Sequence, residues 1–220
     1  MGHVNWFALR AAGIRGVVFD KDNTLTAPYA DILEPRVAAA VAACRAAFGP
    51  TGLVVMSNSA GGPDDAGYAG AERVEAALGL PVLRRTSKKP RGFDEVLRWF
   101  NRGAWRGVRA EEESSGTAGP SGRRSLSSSR STLAPHELCM VGDRALTDVV
   151  FGNANGMLTV HVLPLTLVND HASAIAVRGL ENGLLLPLVA GIGNVQPPPH
   201  TAVPRREDAA RFVLAHPQRE

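Results

Sequence analysis

A chain of 220 residues, 45% hydrophobic and 20% charged, is long and apolar enough for one domain with a sizeable core. Its formal net charge of +3 is well short of a nucleic-acid-binding chain, so no nucleic-acid partner is expected, while anionic partners are favoured. The longest apolar run, 184–192, is broken by Pro187 and Gly191. It falls far below the roughly 20 residues of a membrane-spanning helix, which points to a soluble or peripheral protein. Residues 1–10 show no long apolar stretch of the secretory kind, and no targeting segment is visible. Cys44 and Cys139 lie in apolar surroundings and read as small core residues, not as a disulfide or a metal pair.

Residues 6–12 have weak helical periodicity and stop at Gly13. Residues 14–19, heavy in β-branched side chains, read as a first buried strand. Glu34-Pro35 opens an Ala-rich helix to about Phe48, with proline near the first helical position. Residues 53–56 make a second buried strand that closes on Ser57-Asn58-Ser59-Ala60-Gly61-Gly62. A helix over 68–78 stops at Gly79. Val82-Leu83 begins a short third strand running into Arg84-Arg85-Thr86-Ser87-Lys88-Lys89-Pro90. Phe93, Val96, Leu97 and Phe100 then recur at helical spacing.

The composition shifts over 103–134, which is rich in Ser, Gly, Arg and Glu and reads as a disordered surface insert. Order resumes with a fourth strand at 138–141, ending on Gly142-Asp143-Arg144, a helix over 146–155 and a fifth strand at 157–163. Another helix is expected from Asp170 to about Leu186. Residues 191–220 form a Pro-rich tail with a short amphipathic piece near 209–214, expected to be loosely held. Strands alternating with helices over 1–190 predict an α/β domain with a doubly wound, mainly parallel sheet covered on both faces.

Four polar sites follow the ends of predicted strands: Asp20 and Asp22, Ser57, Lys88-Lys89-Pro90, and Asp143 with Asp148 one turn on. Strand ends of a parallel sheet point one way, so these groups can converge. Their chemistry suits a phosphate monoester. Asp20 can attack phosphorus and form an aspartyl-phosphate. Asp22 can protonate the leaving oxygen and then activate water. A Mg²⁺ ion between the anions suits Asp20, Asp143 and the backbone carbonyl of Asp22. Ser57 can hold phosphate oxygens, and a lysine of the Lys-Lys-Pro turn can neutralise charge. A calcium loop is the bland alternative for Asp20 and Asp22, but it wants Gly and Glu where this chain has Leu25 and Asp31. The six histidines lack metal-ligand spacing and are expected at the surface or in packing.

The set Asp20-Lys21-Asp22-Asn23-Thr24, Ser57-Asn58-Ser59, Lys89 before Pro90, and Gly142-Asp143 through Asp148 resembles the haloacid-dehalogenase (HAD) superfamily of aspartate-nucleophile phosphatases. The resemblance implies a HAD-like Rossmannoid fold with Mg²⁺ as cofactor. It makes Asp20 the nucleophile and Asp22 the acid/base. It assigns Ser57, Asn58 and Lys89 to phosphate, Asp20, Asp22 and Asp143 to the metal, and Thr24 and Asp148 to support. Lys89 is preferred over Lys88 because the functional lysine stands directly before the proline. The longer matches through Gly13 to Tyr29, Val55 to Gly61 and Val141 to Arg144 resemble the mitochondrial and plastid phosphatidylglycerophosphatase family. That family converts phosphatidylglycerophosphate to phosphatidylglycerol on the route to cardiolipin, which implies a mitochondrial (matrix side of the inner membrane) or plastid enzyme.

The gaps from Asp22 to Ser57 and from Ser57 to Lys89 leave no room for a large cap domain, and an open site suits a phosphate on a bulky substrate. An anionic phospholipid substrate and peripheral contact with a membrane surface are therefore expected. Arg84, Arg85, Arg91, Arg98 and Arg102 are candidates to lie against an anionic bilayer, with a solvated basic face as the alternative. Trp6 and Phe7 read as core packing or an interfacial anchor. The competing functions are a phosphatase of a protein, a nucleic-acid end or a soluble phosphomonoester, and a catalytically silent HAD fold used for binding.

Overall fold

The computed structural model describes residues 1–102, 132–166, 179 and 199–214. Residues 103–131 of the expected insert, the expected helix from Asp170 apart from residue 179, and residues 191–198 and 215–220 of the Pro-rich tail lie outside the described residues. Four strands, β1 (Gly16–Phe19), β2 (Leu53–Val55), β3 (Leu138–Gly142) and β4 (Leu158–His161), form a parallel sheet in the order β2-β1-β3-β4. The helices are α1 (Trp6–Ala11), α2 (Pro35–Phe48), α3 (Ala69–Leu78), α4 (Phe93–Arg102) and α5 (Val150–Ala154). This is an α/β HAD-like fold.

Strand alternation sends successive side chains to opposite faces. Val17 and Phe19 of β1 pack on one face with Trp6 and Leu9 of α1, Val37, Val41 and Cys44 of α2, and Val74 of α3. Val18 packs on the other face with Val96 and Phe100 of α4 and Phe151 of α5. Both faces are covered, which is why β1 is apolar without interruption and fully buried. Trp6 meets the Phe19 ring edge-on at 5.9 Å and is a core residue, whereas Phe7 is exposed. Cys44 and Cys139 are free and buried, and burial raises the pKa of both thiols.

Three expectations change. The third strand reduces to a single parallel bridge between Val82 and Val55. Beyond Leu83 the backbone leaves the sheet, and Arg85 N donates to the Gly61 carbonyl at 2.8 Å. Gly61 has φ +71°, and a Cβ there would collide with the Leu83 carbonyl, so glycine is what permits this approach. The helix over 146–155 divides into a π-helical turn, Ala145–Val149, and the short α5. Finally, residues 199–214 of the tail are docked. Val213 bridges Val4, Asn5 N donates to the Phe212 carbonyl at 2.8 Å, and Phe212 is buried.

Among the described residues no helix is long and apolar enough to cross a membrane. The segments following β1 and β2 carry no separate cap. The central strand leaves no slack against α4. A Cβ on Gly16 would stand 2.6 Å from Phe100 Cε1 and 2.8 Å from Leu138 Cδ2. Gly16→Ala should therefore destabilise the domain by about 1–3 kcal/mol, read as a lower urea midpoint at unchanged slope.

Candidate active site

Strand register sets the site. Phe19 of β1 is level with Val55 of β2 and Val141 of β3. The residues just beyond, Asp20, Ser57 and Asp143, therefore emerge at one edge of the sheet. Asp20 N donates to the Val141 carbonyl and Met56 N to the Phe19 carbonyl, both at 2.8 Å, so the alignment persists past the strand ends.

Asp20, Asp143 and Asp148 are all buried, and each offers a carboxylate oxygen within 4.8 Å of the others. The π-helical turn brings Asp148 back toward β3. Asp148 N and Val149 N both donate to the Arg144 carbonyl, and Asp148 Oδ2 accepts from Arg144 N at 3.2 Å. A Cβ at Gly142 would collide with the Asp148 carboxylate, so that close approach also depends on glycine. The Lys89 ammonium, 1% exposed at its side chain, contacts Asp20 Oδ1 and Asp148 Oδ1 at 2.5 Å each.

Burial pushes the Asp20 carboxyl up to about 7. Lys89 opposes the shift, and Asp148 and Asp22 add to it. Burial also works against the Lys89 ammonium, but Asp148 and Asp20 outweigh it and raise its pKa. Lys89 contacts two of the three buried carboxylates, and the buried Arg85 guanidinium acts on Asp20 electrostatically. Three carboxylates grouped this closely supply the all-oxygen donors that suit a hard divalent cation such as Mg²⁺.

The Asp22 carboxylate has partners of its own outside this group. Its Oδ1 accepts from Lys21 Nζ at 2.8 Å and from Tyr29 N at 2.9 Å, and its Oδ2 accepts from Ser59 Oγ at 2.6 Å. Its carboxylate is not among the three grouped oxygens, whereas Asp148, assigned a supporting role from the sequence, is. Ser57 is buried, and its Oγ accepts from Ser59 N at 3.0 Å and lies 2.8 Å from Ser59 Oγ. Asn58 Oδ1 accepts from Lys89 N at 3.0 Å and from Arg85 Nη2 at 2.8 Å. Thr24 is buried within the turn after β1, where Thr24 N donates to the Lys21 carbonyl at 3.3 Å.

A family profile described as mitochondrial PGP phosphatase matches residues 3–112. The chain is also 40% identical over 98% of its length to a chloroplastic phosphatidylglycerophosphate phosphatase 1 of Chlamydomonas reinhardtii, 68% of which it covers. The chain belongs to the mitochondrial PGP phosphatase family. A second profile, HAD-hydrolase-like, matches residues 122–164. The chloroplastic/mitochondrial phosphatidylglycerophosphate phosphatase 1 of Arabidopsis thaliana is 37% identical over 83% of the chain, which spans 44% of that protein. The mitochondrial phosphatidylglycerophosphatase of Saccharomyces cerevisiae is 29% identical over 68% of the chain, which spans 66% of it.

Several residues of this PGP phosphatase family member do structural work that sequence reasoning missed. Arg85, a candidate to lie against a bilayer, is instead buried. Its guanidinium donates to the Ser57 and Ser87 carbonyls and to Asn58. Arg84 pairs with Glu75, which leaves Arg91 and Arg98 exposed; the side chain of Arg102 lies outside the described residues. Lys88 pairs with Asp64 at the surface. His161 is more than a surface residue, since its Nε2 lies 3.0 Å from the Asp143 carbonyl. Lys21 is buried beside Asp22. A lysine inside a strand-end carboxylate pair is a signal in principle, but its direction is invisible without coordinates.

The loop after β2 is also tied down from below. Asp65 accepts from Gly61 N at 2.8 Å, Gly70 N at 2.8 Å and Ala71 N at 2.9 Å, fastening the Ser57–Gly62 segment to the start of α3. Burial tends to raise its pKa, but the three backbone donors outweigh it and hold the carboxyl low. A carboxylate with a depressed folded pKa stabilises above its unfolded value and loses that contribution as pH falls through the folded one. Asp65→Ala should cost about 0.5–2 kcal/mol at pH 7, as for a lost helix cap. In urea titrations the gap to wild type should close as pH is taken below about 4.

Proposed function

We propose that this chain is a Mg²⁺-dependent phosphatase that forms an aspartyl-phosphate and converts phosphatidylglycerophosphate to phosphatidylglycerol. The observation carrying the chemistry is the Lys89 ammonium held between Asp20 and Asp148 beside Asp143. The substrate rests on family membership and on the names of the relatives.

Asp20 is the nucleophile. Its carboxylate stands at the sheet edge, fixed through its own N–H to β3, and attacks phosphorus in line. Lys89 offsets charge on Asp20 and on the incoming phosphate. Its backbone is held by Asn58, and Asn58 is in turn held by Arg85. Asn58 uses its carbonyl oxygen for these contacts, so its amide N–H groups are what it offers phosphate oxygens, beside the Ser57 hydroxyl. Asp22 gives a proton to the departing alkoxide and then takes one from the water that cleaves the aspartyl-phosphate. Thr24 keeps the turn between Asp20 and α2 closed.

Asp20, Asp143 and Asp148, with the Asp22 backbone carbonyl, are the groups that would hold Mg²⁺. The ion would mask repulsion between carboxylate and phosphate dianion.

The lipid reading is also supported by an uncapped site and by exposed Tyr29, Ile32 and Leu163, which lie on segments leaving the carboxyl ends of β1 and β4. Such a rim suits peripheral contact with a bilayer carrying the anionic lipid. The names of the relatives favour a mitochondrial or plastid setting.

The test is phosphate release from phosphatidylglycerophosphate in mixed micelles and from soluble esters, with Mg²⁺ and with chelator. Release should be Mg²⁺-dependent and fastest on the lipid, and Asp20→Asn should lose at least about a thousandfold in kcat. No Mg²⁺-dependent release from any ester would overturn the enzymatic reading. Turnover of soluble esters without the lipid would overturn only the substrate.

A further inference from the structure

Between Asp20 and Asp22 in the chain stands a buried lysine, Lys21. Lys21 is 2% exposed at its side chain and does not point toward Asp20. Its ammonium sits 2.8 Å from Asp22 Oδ1, 2.7 Å from the Ala30 carbonyl and 3.5 Å from Thr26 Oγ1, with Asp31 Oδ1 at 3.6 Å. Asp31 in turn faces Arg73 of α3 at 3.7 Å. A buried ammonium is costly unless its donors are matched, and here every partner belongs to the segment following β1. Lys21 therefore ties the Asp22 side chain to that segment.

The two oxygens of Asp22 consequently meet different chemistry. Oδ1 faces the Lys21 ammonium and the Tyr29 N–H, groups that only donate. An oxygen held this way has no acceptor beside it to share a proton. Oδ2 faces the Ser59 hydroxyl, which both donates and accepts and has a second partner in Ser57 Oγ at 2.8 Å.

We propose that Lys21 is a positioning residue for the phosphatase reaction. It pins Asp22 Oδ1 and leaves Oδ2, on the Ser59 side, as the oxygen that exchanges the proton with the substrate. The inference rests on the reading of Asp22 as acid/base. In the first half-reaction the bond from Asp20 to phosphorus forms and the bond from phosphorus to the ester oxygen breaks. The Oδ2–H bond then breaks toward that oxygen, giving a free alcohol and the Asp22 carboxylate. In the second half-reaction Oδ2 takes a proton from water as the water oxygen bonds to phosphorus and the Asp20–phosphorus bond breaks, releasing phosphate. Lys21 exchanges no proton in either step and acts only through Asp22.

A leaving group that needs no proton separates positioning of the acid from general damage. The probes are phosphatidylglycerophosphate in mixed micelles and its analogue with sulfur in place of the bridging ester oxygen, whose thiolate departs unprotonated. kcat/KM covers steps only up to formation of the aspartyl-phosphate, so it isolates leaving-group departure. For Lys21→Met, kcat/KM on the oxygen ester should fall at least about tenfold, part of the 10²–10⁴ that a general acid supplies. On the sulfur ester it should change less than about threefold. Asp22→Asn, run in parallel, should show the same selectivity with a larger loss on the oxygen ester. Equal losses on both esters for Lys21→Met, or none on either, alongside a selective Asp22→Asn, would overturn the role of Lys21 alone. An Asp22→Asn variant that slows both esters alike or neither would overturn the acid/base reading, and this inference with it. Should Lys21→Met fail to fold, Lys21→Gln, which keeps a donor for the Ala30 carbonyl, is read by the same ratio of ratios.

Discussion

Three carboxylates and one ammonium share a buried place at the carboxyl edge of the sheet, and the rest of the site is arranged to make that tolerable. Asp20, Asp143 and Asp148 would repel one another strongly in a medium of low dielectric. Lys89 contacts two of them directly, and the grouped carboxylate oxygens are what make the place suited to a divalent cation. The raised pKa of Asp20 comes first from burial, with Asp148 and Asp22 adding to it against the pull of Lys89. In the proposed reaction Asp20 would attack phosphorus as an anion, and the Lys89 contact is what favours that form.

Keeping it there requires a chain of polar contacts behind it. Asn58 holds the Lys89 backbone, Arg85 holds Asn58 and the Ser57 carbonyl, and Asp65 fastens the same loop to α3. These groups touch neither Asp20 nor Asp148. Their linked hydrogen bonds make the loops following β2 and Leu83 one polar unit. On the other side, Lys21 and Asp31 do the same for the segment after β1. The sheet supplies the alignment of Asp20, Ser57 and Asp143, and these two clamps supply Lys89 and Asp22.

Mixed roles within one basic stretch follow from this. Arg84, Arg85, Lys88 and Lys89 are near neighbours in the chain, yet they serve as a partner of Glu75, a loop clamp, a surface pair with Asp64 and the site cation. Positive charge alone does not sort them. What sorts them is that the chain leaves the sheet after Leu83 and runs beside Gly61, which turns Arg85 and Lys89 inward and leaves Lys88 outside.

The α/β class and the order of the main elements were legible in the amino-acid sequence, because apolar periodicity and glycine or proline stops are local. The continuous apolar run of β1, the Pro35 start of α2 and the Gly79 stop of α3 each carry their reason within a few residues. So were the positions of Asp20, Ser57 and Asp143, since a carboxylate or hydroxyl directly after a buried strand is itself a local pattern. Where side chains separated by many residues meet was set by packing alone. It brought Asp148 into the carboxylate cluster by way of a π-helical turn, turned the Asp22 carboxylate toward Lys21 and Ser59, buried Arg85, and reduced the third strand to one bridge. Each of these depends on loop paths and side-chain directions set by packing across the sheet edge, and such contacts leave no periodic mark on the chain.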